Sequence, residues 1–151
     1  MPPKHLRPRE VEYVQQPVEG KPERLYRVKV TYSHHAFTEH GPNGQREFND
    51  VRYKQSFALP SIINGLMQRE CHHTGRQNFF TIEMVGDRCY EVYFEIFKTS
   101  EGLNLRVQSA YFRDADNIRN QPRRAKVGFA TILFNVKNGK PIHPPQQKNR
   151  K

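Results

Sequence analysis

Apolar and polar side chains alternate with a period of two along much of the middle of the chain. In residues 25–32, Tyr26, Val28, Val30 and Tyr32 alternate with Arg27, Lys29 and Thr31, which predicts a strand with one buried face. Residues 51–57 repeat this more weakly through Val51, Tyr53 and Gln55. The period then changes. Pro60 suits a first helical turn, Ile62, Ile63, Leu66 and Met67 form a stripe at helical spacing, and Gly75 lies where a helix would end. One short helix over residues 60–71 is predicted, with Gly65 as its weak point.

The second half reads as strands. Residues 79–84 are followed by a turn at Gly86-Asp87, then by residues 89–97, where Tyr90, Val92, Phe94 and Ile96 alternate with Glu91, Tyr93 and Glu95. Thr99-Ser100-Glu101-Gly102 predicts a hairpin connection. The return strand over residues 103–112 alternates through Leu103, Leu105, Val107, Ser109 and Tyr111, which sets Ser109 and Tyr111 on the face of Leu105 and Val107. A polar loop spans residues 113–126. Residues 127–136 are the most continuously apolar, the texture of a central strand covered on both faces, with Asn138-Gly139 turning the chain. The predicted fold class is α+β: an antiparallel sheet of four to five strands with one short helix packed on a face.

Composition divides this pattern into parts. The 151 residues fit one domain. Residues 1–23 and 143–151 hold six apolar side chains between them, against 47 in residues 24–142. Five prolines lie in the first 24 residues, and Pro141, Pro144 and Pro145 close the other end. The expected organisation is a flexible proline-rich arm over 1–24, a single α+β domain over 25–142 and a flexible basic tail over 143–151. No apolar run approaches the about 18 residues of a membrane span, and the first residues lack the apolar core of a signal peptide. A cytoplasmic protein with no membrane partner is expected, with Cys71 and Cys89 as free thiols.

Charge narrows the function. The net charge is +10, and residues 113–151 contribute +8 of it. A segregated positive field points to a polyanion, with nucleic acid first. The chain has no glycine-rich phosphate loop, no G-x-S-x-G, no H-E-x-x-H and no C-x-x-C, so nucleotide-dependent enzymes and zinc peptidases lose their support and no cofactor is expected.

Three clusters carry candidate chemistry. His34 and His35 follow the first predicted strand; adjacent strand residues point to opposite faces, so only one of them lines a given cleft, and histidine serves as general base or general acid near neutral pH. Cys71, His72 and His73 sit at the predicted helix end, where histidine is favoured by the helix dipole. Diverging adjacent ligands speak against zinc, so no metal site is assigned there. The third cluster runs from Ser109, Tyr111 and Arg113 into Arg119, Arg123, Arg124 and Lys126. Arginine holds phosphate through paired hydrogen bonds, so these last four are candidate nucleic-acid contacts.

Metal-free RNA cleavage needs a base for the ribose 2′-hydroxyl, an acid for the leaving oxygen and a cation for the phosphorane charge. His34 or His35 supplies the base or acid, Arg113 or Arg124 the cation, and Tyr111 orients the phosphate beside Ser109. In layout and strand texture, residues 60–142 resemble the small barnase/EndoU/colicin/RelE-type (BECR) toxin nucleases: one helix, then four antiparallel strands, with the hairpin Tyr90-Glu91-Val92-Tyr93-Phe94 to Leu105-Arg106-Val107-Gln108-Ser109-Ala110-Tyr111 in the style of their central strands. The resemblance implies a toxin ribonuclease acting on RNA, growth arrest or defence, and an antitoxin that masks the basic face. Two other classes stay open. One is a non-catalytic RNA- or DNA-binding module that stacks bases on Tyr93 and Phe97. The other is an adaptor with an acidic protein partner.

Overall fold

In the computed structural model, the strand predicted from Tyr26, Val28 and Val30 is β2 (Arg24–Tyr32), and those three side chains are buried. The structure describes residues 3–17, 20, 22–34, 38–40, 46–48, 50–74, 78–113 and 125–142; for 38–40, 46–48, 50–52 and 113 it describes the backbone alone. Inside the predicted proline-rich arm, β1 (Arg9–Gln15) pairs antiparallel with β2 and buries Val11 and Tyr13. That stretch of the arm is therefore an edge strand of the sheet.

The chain continues through β3 (Thr38–His40) and β4 (Arg46–Phe48), which pair with each other, to α1 (Asp50–Gln55), a 3-10 turn and α2 (Leu59–Asn64). Then follow β5 (Cys71–His73), β6 (Asn78–Val85), β7 (Arg88–Thr99), β8 (Gly102–Arg113), β9 (Ala125–Val127) and α3 (Phe129–Lys137). The main sheet has seven strands in the order β1-β2-β8-β7-β6-β5-β9. The fold is α+β, as expected, but the sheet is larger than four to five strands and is mixed, because β2 runs parallel to β8.

Three local expectations are corrected, each for a definable reason. Residues 51–57 are helical: Tyr53 and Phe57 meet edge to face at 5.4 Å as an i, i+4 pair, and the Ser56 hydroxyl donates to the Tyr53 carbonyl. The helix expected over 60–71 stops at Gly65, so Cys71, His72 and His73 belong to a strand. Residues 127–136 form only the end of β9 and then α3. Phe129, Ile132 and Leu133, with Val136 partly buried, repeat at helical spacing, and a short apolar run fits either structure until packing decides. Asn138-Gly139 turns the chain at the end of this helix. Gly139 adopts φ +69°, its N–H reaches the Val136 carbonyl at 3.1 Å, and the Lys140 N–H reaches the Asn135 carbonyl at 2.8 Å, the double closure of a Schellman motif.

α2 and α3 lie on one face of the sheet, and the core sits between them and β1, β2, β8, β7 and β6. Tyr13 ties the layers together: its hydroxyl donates to the Ile63 carbonyl at 2.7 Å, and its ring meets Phe129 at 4.8 Å. A helix-end carbonyl otherwise left unsatisfied inside the core is thereby bonded. Phe94, fully buried under Phe129, anchors the centre of the sheet. Among the described residues, no helix is long and apolar enough to cross a membrane.

The core also carries a pH dependence. Cys71 and Cys89 are free and buried, and burial pushes the Cys71 thiol from an ordinary value near 9 up to about 12. Burial likewise raises the Tyr32 phenol to about 12. The unfolded chain ionises these groups first, so stability is fully present below about pH 9 and falls between about pH 9 and 12. Urea midpoints measured from pH 8 to 10.5 will decline, and more shallowly in Cys71→Ala. Iodoacetamide at pH 8 will label Cys71 only after denaturation.

Candidate functional site

The position of every candidate side chain on β8 depends on one residue. From Leu103 to Val107 the alternation predicted from sequence holds, and Leu103, Leu105 and Val107 enter the core. Phe94 of β7 pairs with Val107, but the preceding Tyr93 pairs with Ser109, so Gln108 is an extra residue without a partner of its own. This β-bulge reverses the phase of the strand. Beyond it Ala110 and Phe112 take over the core face, and Ser109 and Tyr111 turn to the side opposite the helices. The expectation that Ser109 and Tyr111 share a face with Leu105 and Val107 is thus overturned.

Register places a line of side chains across that face, opposite α2 and α3. Lys126, His72, Phe80, Tyr93 and Ser109 are directly paired from β9 through β5, β6 and β7 to β8, a span of about 19 Å at the usual strand spacing. The next line is Ile82, Glu91 and Tyr111, and the one after it Met84, Cys89 and Arg113. The rings form a stack: His72 on Phe80 at 4.9 Å, Phe80 on Tyr93 at 5.1 Å, and Tyr93 on Tyr111 at 5.6 Å with planes 8° apart.

At the β8 end of the stack lies a buried carboxylate. Glu91 is 0% exposed, and the Tyr93 hydroxyl donates to its Oε1 at 2.7 Å. A second hydrogen bond joins the side chains of Tyr93 and Tyr111. Burial, and then these bonds to Tyr111 and Glu91, push the Tyr93 phenol far above its ordinary value, so Tyr93 keeps its proton. That proton is committed to Glu91, so Tyr93 accepts from Tyr111. The resulting relay runs from the half-buried Tyr111 hydroxyl through Tyr93 to Glu91.

The other sequence candidates fall in different places. His34 is exposed just past β2, and the neighbouring Ser33 N–H donates to the Val107 carbonyl at 2.9 Å, which fixes this segment beside the bulge. Arg113 follows Ser109 and Tyr111 at alternate positions of β8, in register with Cys89. Lys126 is held at the far edge, 3.5 Å from Glu70, whose other oxygen lies 3.8 Å from His72. His35, Arg119, Arg123 and Arg124 lie outside the described residues. Cys71 and His73 point into the core and His72 away from it, and among the described residues no group of three His, Cys, Asp or Glu side chains is arranged to hold a metal ion.

Sequence reasoning missed the Glu91 and Tyr93 roles. Their alternation with Tyr90 and Val92 marked them as non-core, but nothing local shows that a strand carboxylate is fully buried beside two phenols.

Residues 2–137 match the model of the YjaZ family. The chain belongs to the YjaZ family. Protein YjaZ of Escherichia coli (strain K12) is 30% identical over an alignment 149 positions long that covers 85% of this chain and 80% of that protein. No solved structure matches. The match takes in β1 through α3, so the bulge, Glu91, Tyr93 and Tyr111 all lie within the family region.

The relay makes a stability prediction. Tyr93→Phe removes the hydroxyl that bonds a buried carboxylate and will cost about 1–3 kcal/mol; Tyr111→Phe removes only the outer member and will cost about 0.5–1.5 kcal/mol. Urea denaturation at pH 7 gives both values, and the reverse order would contradict the relay.

Proposed function

We propose that this YjaZ-family chain is a metal-independent endoribonuclease, with its reaction centre around Tyr111 on the sheet face opposite α2 and α3. The observation that carries the reading is the bulge at Gln108, which brings Ser109 and Tyr111 onto the side of Glu91 and Tyr93. In this reaction Tyr111 accepts the proton of a ribose 2′-hydroxyl while its own proton passes to Tyr93 and that of Tyr93 to Glu91. The 2′-oxygen attacks the adjacent phosphorus, and the bond to the 5′-oxygen breaks. His34 gives a proton to the departing 5′-oxygen, and a 2′,3′-cyclic phosphate remains. Arg113 stabilises the charge on the phosphorane, and Ser109 hydrogen-bonds a phosphate oxygen. Arg119, Arg123 and Arg124 hold the flanking strand. The BECR resemblance supports the same chemistry, in a toxin whose basic surface an antitoxin covers.

A binding module that never cleaves is the second reading. It is favoured by Phe97, 39% exposed on the same face, which offers a ring to an unstacked base. Phe80 cannot act in this way, because it is fully buried.

Cleavage separates the two. Incubated with RNA and a chelator, the protein will release fragments ending in 2′,3′-cyclic phosphate. Glu91→Gln and His34→Ala will each slow this by about 10²–10⁴-fold while RNA affinity stays within about twofold. Wild-type protein that binds RNA and leaves it intact for hours would sink the enzyme reading. For the loop, Arg119, Arg123 and Arg124 changed together to Ala will lower the slope of log K against log salt by about 2, the value for three lost contacts to a single strand. An unchanged slope would remove those arginines from the interface.

A further inference from the structure

At the opposite end of β8 from Tyr111, four cations gather where the C-terminal end of α3 meets β2 and the β7–β8 hairpin. Arg24 lies over the Phe134 ring at 4.5 Å, with Lys140 at 6.0 Å from the same ring. Lys137 lies 5.6 Å from the Tyr26 ring, and Lys98 donates to the Lys137 carbonyl at 3.0 Å. Between them runs a groove of about 460 Å³ bounded by Leu25, Tyr26, Lys98, Leu103 and Lys137, and beside it a hollow of about 360 Å³ that reaches Arg24 and Phe134. Among the described residues, no carboxylate lines either one.

The contrast with the rest of the sheet is what singles out this cluster. Arg27 is paired with Glu12, Arg69 with Glu83 and Lys126 with Glu70. None of Arg24, Lys98, Lys137 and Lys140 has an ion-pair partner among the described residues. The negative end of α3 accounts for a cation or two at this place, but the Schellman closure already satisfies two of its last carbonyls, and Arg24 comes from a different element. Four like charges, three held by rings and one by a carbonyl, remain without an ion-pair partner among the described residues.

We propose that this groove binds the phosphodiester backbone of a nucleic-acid strand. The cations are on firm supports: aromatic faces orient Arg24, Lys137 and Lys140, and a backbone carbonyl orients Lys98. The lining suits phosphates and sugar rather than base edges, since Asn138, the amide that lines both hollows, already donates to the Phe134 carbonyl at 2.7 Å. Binding here is therefore indifferent to sequence. Some nine residues of β8 separate Gly102 from Tyr111, about 30 Å of strand, so this surface is separate from the proposed reaction centre and does not require that cleavage occur.

The test uses the full chain and fluorescein-labelled 20-nucleotide strands of RNA and of DNA, with anisotropy titrations from 50 to 300 mM salt. Changing Lys98, Lys137 and Lys140 together to Gln will weaken binding of both strands about tenfold or more at 100 mM and lower the salt slope by about 2. Changing the same three to Arg will keep affinity and slope. Loss with RNA alone would confine the site to RNA; unchanged affinity and slope with both would overturn the proposal. Should the Gln variant fail to fold, wild-type protein answers the question directly: bound strand must protect Lys98, Lys137 and Lys140 from an amine-acetylating reagent, and equal labelling with and without strand overturns it. Retained strand binding with lost binding to phosphatidylserine vesicles would assign the groove to a membrane surface and also overturn it. Absence of RNA cleavage counts against the reaction centre and leaves these readouts untouched.

Discussion

At Gln108, β8 carries one residue more than the strand it pairs with, and both faces of the sheet depend on that insertion. Before it, Leu103, Leu105 and Val107 face the helices; after it, Ala110 and Phe112 do. Without the extra residue, Tyr111 and Ser109 would enter the core and Phe112 would leave it. A bulge is tolerated in the middle of a sheet only when both of its consequences are accommodated. Here the core side gains the contact of Tyr90 with Phe112 at 5.1 Å, and the opposite side gains the stack of Tyr93 on Tyr111. The pairing of β2 with β8 ends at the same level, at Tyr32 and Val107. The remainder of β8, from Ser109 to Arg113, is thereby free of β2 and carries the candidate chemistry.

The two faces are built on different physical terms. The helix face is largely apolar, and a buried hydrogen bond there, from Tyr13 to Ile63, satisfies a carbonyl at the end of a helix. The opposite face buries polar groups within a ring stack, which is costly unless each is bonded. Tyr93 resolves part of that cost by donating to Glu91, and in doing so it fixes the direction of its bond with Tyr111. A constraint of folding thus sets the protonation pattern of the outermost hydroxyl.

The long alternating strands could be read from the sequence because their period is two and their partners are adjacent: β2, β7 and β8 lie nearly where the apolar positions place them. Two kinds of feature could not be read. One is a local pattern consistent with two structures, as with Phe129, Ile132, Leu133 and Val136, where the apolar run suggested a strand and only burial against Phe94 and Tyr13 selects the helix. The other is a property that belongs to a pair of strands. A bulge is defined by a partner, so no count of residues along β8 alone could locate Gln108. The alternation therefore marks Ser109 and Tyr111 as candidates but assigns them to the wrong face, and Glu91, the residue that gives the face its chemistry, reads as an ordinary polar position.

The distribution of charge extends the same reasoning to the whole molecule. Most of the net positive charge lies after β8, yet the position of a cation in sequence does not tell whether it is available. Lys126 belongs to the basic segment and is neutralised by Glu70 at 3.5 Å. Arg24 and Lys98 belong to segments of balanced composition, and no carboxylate meets either one among the described residues. What a polyanion meets is the field of unpaired cations, which decays within about 10 Å at ordinary ionic strength. The Tyr111 face and the α3 groove are separated by more than that distance along β8. Their fields therefore act independently on a passing strand, and contact at one end leaves the electrostatic cost at the other unchanged.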